Sequence, residues 1–393
     1  MRWLLHVAVA AMLLCQAGYA HQTQSNVSQT ANVLSVARGL LAATSVGNLA
    51  FFAGGCIHSC DNGQTFNVVD VFHLDIGLWS TMNLSVARYG LTAASVGSLA
   101  IFAGGCDFFD EECHQPSAIV DLFDTATNQW HTAELSVARY YSAVVTVGQC
   151  VLFAGGQFEV NGSVVFSAVV DIFNSSSNQW VTTQLSLARE SLAVTSVDSY
   201  AFFAGGRCSH DDTQCNYDRT TAVVDMFDLS SHQWFYLKLS ESRANIVAVS
   251  IGKLAIFAGG YLDSGDVMHG SSTVDIFDVS KMQWSTAQLN TPRANIAAVS
   301  LGVMAIFAGG DDNSHVSDVV DIFDSSTGSW SVSNLSQARS FFGATTDGNV
   351  AVFAGGCYRD LYGFLECYDT VDVYINNSTM RSLAPAKISY HRD

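Results

Sequence analysis

Along the chain, a short apolar run, a two-residue break and a second apolar run ending in Phe-Ala-Gly-Gly recur seven times. In the second copy the runs are Leu91 to Val96 and Leu99 to Ala103, parted by Gly97-Ser98, a pattern that predicts two strands joined by a tight turn. The corresponding breaks, Gly47-Asn48, Gly148-Gln149, Asp198-Ser199, Gly252-Lys253, Gly302-Val303 and Asp347-Gly348, mostly carry residues that tolerate positive φ. A stretch of variable length follows each double glycine. Then comes a third strand, such as Ile119 to Asp124, and a fourth, such as Trp130 to Leu135, which runs through Ser136-Val137-Ala138 into the arginine of the next copy. Each unit is expected to form four antiparallel strands.

Seven arginines, Arg38, Arg88, Arg139, Arg189, Arg243, Arg293 and Arg339, stand fourteen residues before the Phe of each signature, and the signatures end at Gly55, Gly105, Gly156, Gly206, Gly260, Gly310 and Gly356. A period of 46 to 54 residues is that of a repeat architecture. One such unit cannot bury both faces of its apolar inner strands, so its neighbours must cover them. Seven units packed radially close into a propeller, which also removes most exposed edges. The expected fold class is all-β, a single seven-bladed propeller from residue 21 to 393. Glycine every few residues and the β-rich pattern exclude stacked helices, and separate immunoglobulin-like sandwiches would need about 100 residues each.

These residues resemble the kelch-repeat propellers, in which an apolar strand ends in Gly-Gly and is followed by an aromatic residue and then a tryptophan at set spacing. Here the aromatics are Phe72, Phe123, Phe173, Phe227, Phe277, Phe323 and Tyr374, and Trp79, Trp130, Trp180, Trp234, Trp284 and Trp330 each follow their Phe by seven residues. The resemblance covers almost the whole mature chain. It implies the fold and leaves the function open, because the family includes adaptors, actin binders, secreted oxidases and sugar-modifying enzymes. The seventh unit departs from the pattern with Arg381 in the tryptophan slot. Leu383 keeps the register after that slot, so the fourth strand of the seventh blade is expected from the C-terminus, with Val33-Leu34 adding beside it.

Composition narrows the partners. A formal net charge of −18 with 17 basic residues disfavours nucleic acid, since no phosphate-neutralising patch is available. Residues 1–20 read as a secretory signal: Arg2, an apolar run from Trp3 to Cys15, then small residues around Gly18-Tyr19-Ala20. Leu14 before Cys15 argues against a lipoprotein anchor. No later run is long and apolar enough for a membrane span. Asn26, Asn83, Asn161, Asn174, Asn334, Asn376 and Asn377 head Asn-X-Ser/Thr triplets, in keeping with export and glycosylation.

Length variation is confined to one place. From the second glycine of the signature to the third-strand aspartate the spacing is 15, 16, 15, 19, 15, 11 and 16 residues, while the other spacings hold. Eight cysteines lie in close pairs in these loops, Cys56 with Cys60, Cys106 with Cys113, Cys208 with Cys215 and Cys357 with Cys367, and four local disulfides are expected in an oxidising compartment. Zinc is a rival for Cys56-Ile57-His58-Ser59-Cys60, though a fourth ligand is lacking nearby. Cys150 sits in a core slot held elsewhere mostly by Leu, Tyr, Met or Val.

The seven arginines face seven aspartates in sequence register, Asp70, Asp121, Asp171, Asp225, Asp275, Asp321 and Asp372, and structural ion pairs are expected rather than an anion-binding ring. Features present in every blade belong to the scaffold, and function should break the symmetry. The second loop does so with Asp107, Phe108, Phe109, Asp110, Glu111, Glu112 and His114. The fourth carries His210, Asp211, Asp212, Tyr217 and Asp218, and the fifth and sixth carry Asp263, Asp266, His269, Asp311, Asp312 and His315. Carboxylates beside aromatics suit a cationic partner, a carbohydrate or a calcium ion, and the same residues would also serve as a solvated acidic rim. A copper site like that of galactose oxidase would need a Cys crosslinked to Tyr, and no such constellation stands out. No catalytic residue, resident metal or cofactor is assigned, with calcium left open. The chain is expected to be a secreted protein that binds an extracellular protein or glycan through these loops. A carbohydrate-modifying enzyme and a structural matrix component are the alternatives.

Overall fold

The computed structural model describes residues 33–375 apart from 58–63, 110–111, 161–162, 210–214, 216–218, 264–267 and 360–364. Six of the seven repeats form four-stranded antiparallel sheets, and the seventh is three-stranded among the described residues. In the first blade the strands are Ala42–Val46, Leu49–Ala53, Val68–His73 and Leu78–Asn83, hydrogen-bonded in chain order. First strands of neighbouring blades touch all the way round, from Ala42–Val46 against Thr92–Val96 to Gly343–Thr346 back against Ala42–Val46. They therefore line the axis, and the fourth strands form the outer wall. The protein is a seven-bladed β-propeller. Among the described residues no helix is long and apolar enough to cross a membrane.

Burial follows from this geometry. Each second strand is apolar on both faces because a blade lies against each: Phe51 packs edge-on to Phe102 of the next blade, while Phe52 lies against Trp79 of its own. Seven apolar clusters result, one between each pair of adjacent blades, and the cluster joining Leu41, Ala50 and Phe52 to Val352, Ala354 and Val373 closes the ring. Fourth strands are exposed except at their second and fifth positions, which are half-buried, and the tryptophan at the second lies over the third-strand aromatic, with Phe72 and Trp79 ring centroids 4.8 Å apart. Cys150 starts the second strand of the third blade as a buried free thiol, and burial pushes its pKa up.

Two devices join each blade to the next. The arginine side chains are 0 or 1 % exposed, and each guanidinium lies against the aspartate of its own blade's third strand. The N···O distances are 2.8 Å for Arg38–Asp70, 2.5 Å for Arg88–Asp121, 2.6 Å for Arg139–Asp171, Arg189–Asp225 and Arg293–Asp321, and 2.8 Å for Arg339–Asp372; Arg243 pairs with Asp275 in the same way. The other carboxylate oxygen accepts from the linker backbone, as in Ser186 N to Asp225 Oδ1 at 3.3 Å. Burial pushes each guanidinium pKa down and the facing carboxylate pushes it back. Each pair thus pins the linker from the preceding blade onto the strands that follow it. The double glycine supplies the second device. The amide of its second residue donates to the arginine carbonyl of the next blade, from Gly55 N to Arg88 O at 3.0 Å round to Gly356 N to Arg38 O at 3.0 Å.

The seventh blade takes up the N-terminal segment, as the expectation for Val33-Leu34 had it. Val33 bridges Thr370, and Leu34 N donates to Asp369 O at 2.8 Å, just as Leu84 N donates to Asn67 O at 2.8 Å at the end of the first blade's fourth strand. Val33 and Leu34 thus add beside the third strand of the seventh blade, while the residues expected to supply its fourth strand from the C-terminus lie outside the described residues. The reason is the linker: Leu34-Ser35-Val36-Ala37-Arg38 repeats Leu84-Ser85-Val86-Ala87-Arg88, so Val33 and Leu34 meet Thr370 and Asp369 as Asn83 and Leu84 meet Val68 and Asn67. Arg381 and Leu383 lie outside the described residues.

Candidate functional site

The face of the propeller that carries the arginine linkers also carries the loops between second and third strands. In every blade the residue after the arginine pairs with the residue after the double glycine: Gly39 with Cys56, Tyr89 with Cys106, Tyr140 with Gln157, Glu190 with Arg207, Ala244 with Tyr261, Ala294 with Asp311 and Ser340 with Cys357. The next residue in each linker turns toward the axis. Leu40, Gly90, Tyr141, Ser191, Asn245, Asn295 and Phe341 all have φ between 51 and 61°. Left-handed backbone is uncommon for side chains as bulky as Leu, Tyr and Phe. It is held here by hydrogen bonds between blades: Leu40 N to Phe341 O at 3.1 Å, Gly90 N to Leu40 O at 3.2 Å, Tyr141 N to Gly90 O at 3.0 Å and Asn245 N to Ser191 O at 3.0 Å.

This ring frames the mouth of the axial channel. A cavity of about 280 Å³ opens there, lined by Leu40, Tyr141, Ser191, Asn245 and Asn295 among others, and it continues through Leu41 and Leu91 into a second cavity of about 260 Å³. Below the mouth the first strands turn small side chains to the axis, Ala43, Ala93, Val144, Val194, Ala248, Ala298 and Ala344, and then a hydroxyl at every blade: Ser45, Ser95, Thr146, Ser196, Ser250, Ser300 and Thr346. Some of these hydroxyls join blades, such as Ser45 Oγ to Thr346 O at 2.6 Å and Ser196 Oγ to Thr146 O at 2.9 Å.

The mouth breaks the seven-fold symmetry sharply. Across the first three blades it is apolar and aromatic, with Leu40, Tyr89, Tyr140 and Tyr141 packed around Cys56, Cys106 and Cys113. Tyr140 and Tyr141 ring centroids are 5.0 Å apart. Across the fourth to sixth blades it is polar. Glu190, 3 % exposed, holds Arg207 Nη1 at 3.2 Å and accepts from Ser191 Oγ at 3.0 Å. Further round, Asn245 Nδ2 donates to Asn295 Oδ1 at 2.9 Å, Asn295 Nδ2 to Asp311 Oδ2 at 2.9 Å, and the Tyr261 hydroxyl to Asp311 Oδ1.

Glu190 is a buried carboxyl group of this arc. Burial pushes its pKa up, and Arg207 and Ser191 oppose that. An acid whose folded pKa is raised contributes most below its unfolded pKa, and the contribution is lost as pH rises through the folded value. Replacing it by the isosteric amide removes that loss, and Arg207, 44 % exposed, is left facing water at little cost. Glu190→Gln is therefore expected to gain thermal stability relative to wild type as pH rises from about 4 to about 8. Melting curves of both proteins across that range check it, and a difference independent of pH would count against the assignment.

Of the residues singled out in the sequence, Asp311 is drawn into the mouth. Asp107, His269, Asp312 and His315 are exposed on the loops, with Asp312 and His315 3.8 Å apart. Phe108, Phe109, Glu112, His114 and Asp263 lie on loop strands, while Asp110, Glu111, His210, Asp211, Asp212, Tyr217, Asp218 and Asp266 lie outside the described residues. Asn83 and Asn334 are exposed at the ends of fourth strands and Asn174 caps the turn after its strand, whereas Asn26, Asn161, Asn376 and Asn377 are outside the described residues. Disulfides join Cys106 to Cys113, Cys208 to Cys215 and Cys357 to Cys367. Cys56 is disulfide-bonded, while Cys60 lies outside the described residues. Among the described residues no group of three or more His, Cys, Asp or Glu side chains is arranged to hold a metal ion. Glu190, Asn245, Asn295 and Tyr261 were not among the sequence candidates. For Glu190, Asn245 and Asn295 the signal was present in the pairs that follow each arginine, Gly-Leu, Tyr-Gly, Tyr-Tyr, Glu-Ser, Ala-Asn, Ala-Asn and Ser-Phe, whereas Tyr261 follows a double glycine.

No protein-family model matches the chain, and no curated protein matches it. Its class rests on the fold: a seven-bladed β-propeller with disulfide-bridged loops on one face, an architecture suited to interaction with other molecules and, in its disulfides, to an oxidising environment.

Proposed function

We propose that this is an exported, glycosylated binding protein on a kelch-type propeller, which recognises an extracellular protein or glycan through the face that bears the loops between second and third strands. One observation carries the reading. Scaffold features repeat in all seven blades, whereas loop length, disulfides and the ring of mouth side chains vary, and these variations lie on one face. A rigid scaffold that presents variable loops is the common arrangement for recognition. The signal-like pattern of residues 1–20 and the seven sequons support export, and the excess of carboxylates on the loops suits a cationic partner or one bridged by calcium.

The test is a binding screen of the mature protein, produced in a secretory host, against extracellular proteins and glycans with and without calcium. A second sample has the second and fourth loops replaced by the short sixth loop, with its fold checked by circular dichroism. A partner that binds the native protein and is lost from the folded replacement is the expected result. Binding that survives the replacement would move the recognition surface away from the loops.

A further inference from the structure

We propose that the channel mouth is a binding site for a single uncharged sugar residue, held between Tyr141 and Leu40 on one side and Ser191 and Asn245 on the other. The inference rests on the assignment of this face as the binding face and names a ligand class for its centre.

The chemistry starts from Asp311. An ionised carboxylate accepts hydrogen bonds and donates none. Asn295 must therefore turn its Nδ2 to Asp311, which it meets at 2.9 Å, and this leaves its Oδ1 toward Asn245. Asn245 must in turn offer Nδ2 to that oxygen, at 2.9 Å. The carboxylate thus sets the orientation of both amides. At the free end of the relay, Asn245 presents Oδ1 and a second N–H to the cavity, with no partner for either among the described residues. Beside it Ser191 gives its proton to Glu190, so its oxygen is left as an acceptor.

Ser191 and Asn245 together therefore offer two acceptors and one donor, held in place before any ligand arrives. Hydroxyl groups, each one donor with two acceptor lone pairs, complement that set. Charged ligands do not. Neither carboxylate lines the cavity to receive a cation: Asp311 stands behind Asn295, accepting from Tyr261, Asn295 and the backbone of Asn313, and Glu190 is paired with Arg207. No cationic side chain lines this cavity to receive an anion. The opposite wall is apolar and aromatic, with the ring of Tyr141 lying over Gly90, where a Cβ would come within 2.9 Å of it. One face of hydroxyls and one of C–H groups describes a pyranose, and a cavity of about 280 Å³ has room for one ring rather than a chain.

The probes are methyl glycosides of mannose, galactose, glucose and N-acetylglucosamine, with glucosamine and sialic acid as charged controls, followed by saturation-transfer NMR and titration calorimetry on the full mature protein. At least one neutral glycoside is expected to bind while the charged controls do not. Asn245→Gly and Tyr141→Gly copy the glycine that the second blade carries at the same place, so both should fold, and each is expected to weaken binding about tenfold or more. Asp311→Asn frees the amide orientation and is expected to weaken binding with an unchanged melting temperature, which a purely structural role would not give. A variant with the exposed loop residues Asp107 and His269 replaced by serine keeps every residue of the mouth and should still bind the sugar, so loss of partner binding there bears on the loops alone. Absence of binding by every neutral probe, or binding unchanged in both glycine variants, would overturn the site.

Discussion

Replacing Arg189 by alanine should destabilise the folded protein by about 3 to 5 kcal/mol, the cost of leaving a buried carboxylate without its partner. Asp225 is 0 % exposed, and Arg189 meets it at 2.6 Å while a second bond runs to Phe203 O at 2.9 Å. Truncation would strand the Asp225 charge and the Phe203 carbonyl in a region with no access to water. It would also loosen the linker, because Asp225 Oδ1 accepts from Ser186 N only while the carboxylate is held in place. Removing both charges together tells a different story. Burying an ion pair costs each member its hydration, so Arg189→Met with Asp225→Leu should sit close to wild type or above it. Guanidinium unfolding followed by tryptophan fluorescence would measure all three, with the slope compared between variants to check that unfolding stays cooperative. A single-alanine variant within about 1 kcal/mol of wild type would show that the pairs are incidental to stability.

Gly104→Ala is expected to cost about 2 to 5 kcal/mol, combining left-handed strain with a collision. Gly104 has φ of 64°, and a Cβ there would lie 2.5 Å from Arg139 O in the next blade. That carbonyl cannot withdraw, since it accepts the Gly105 amide at 3.0 Å. Gly97 provides the control. Its φ of 59° is nearly the same, yet nothing stands within 4 Å of a Cβ. Gly97→Ala should therefore cost about 1 to 2 kcal/mol, the strain alone. Equal losses at the two positions would mean that backbone strain, not closeness of the blades, explains the double glycine.

The fold was legible because it is written seven times. Apolar runs of strand length, turn residues at fixed intervals and a Phe-to-Trp spacing of seven need only local chemistry to be read, and closure into a ring follows from the need to cover both faces of each sheet. Even the N-terminal contribution to the seventh blade was written in Leu34-Ser35-Val36-Ala37-Arg38, although Leu383 competed for the same register. Three of the four expected disulfides were legible too, since short loops bring their own cysteines together, and Cys60 of the fourth lies outside the described residues.

The mouth was not. Ser191, Asn245 and Asn295 are some fifty residues apart from one to the next, and nothing in their own neighbourhoods marks them as partners. Repetition determines the blade, its pairs and its glycines, because each of those forms within one repeat or against the next. Only ring closure decides which side chains share the axis, for it sets linkers from separate blades side by side and turns single varied residues into one continuous, oriented surface.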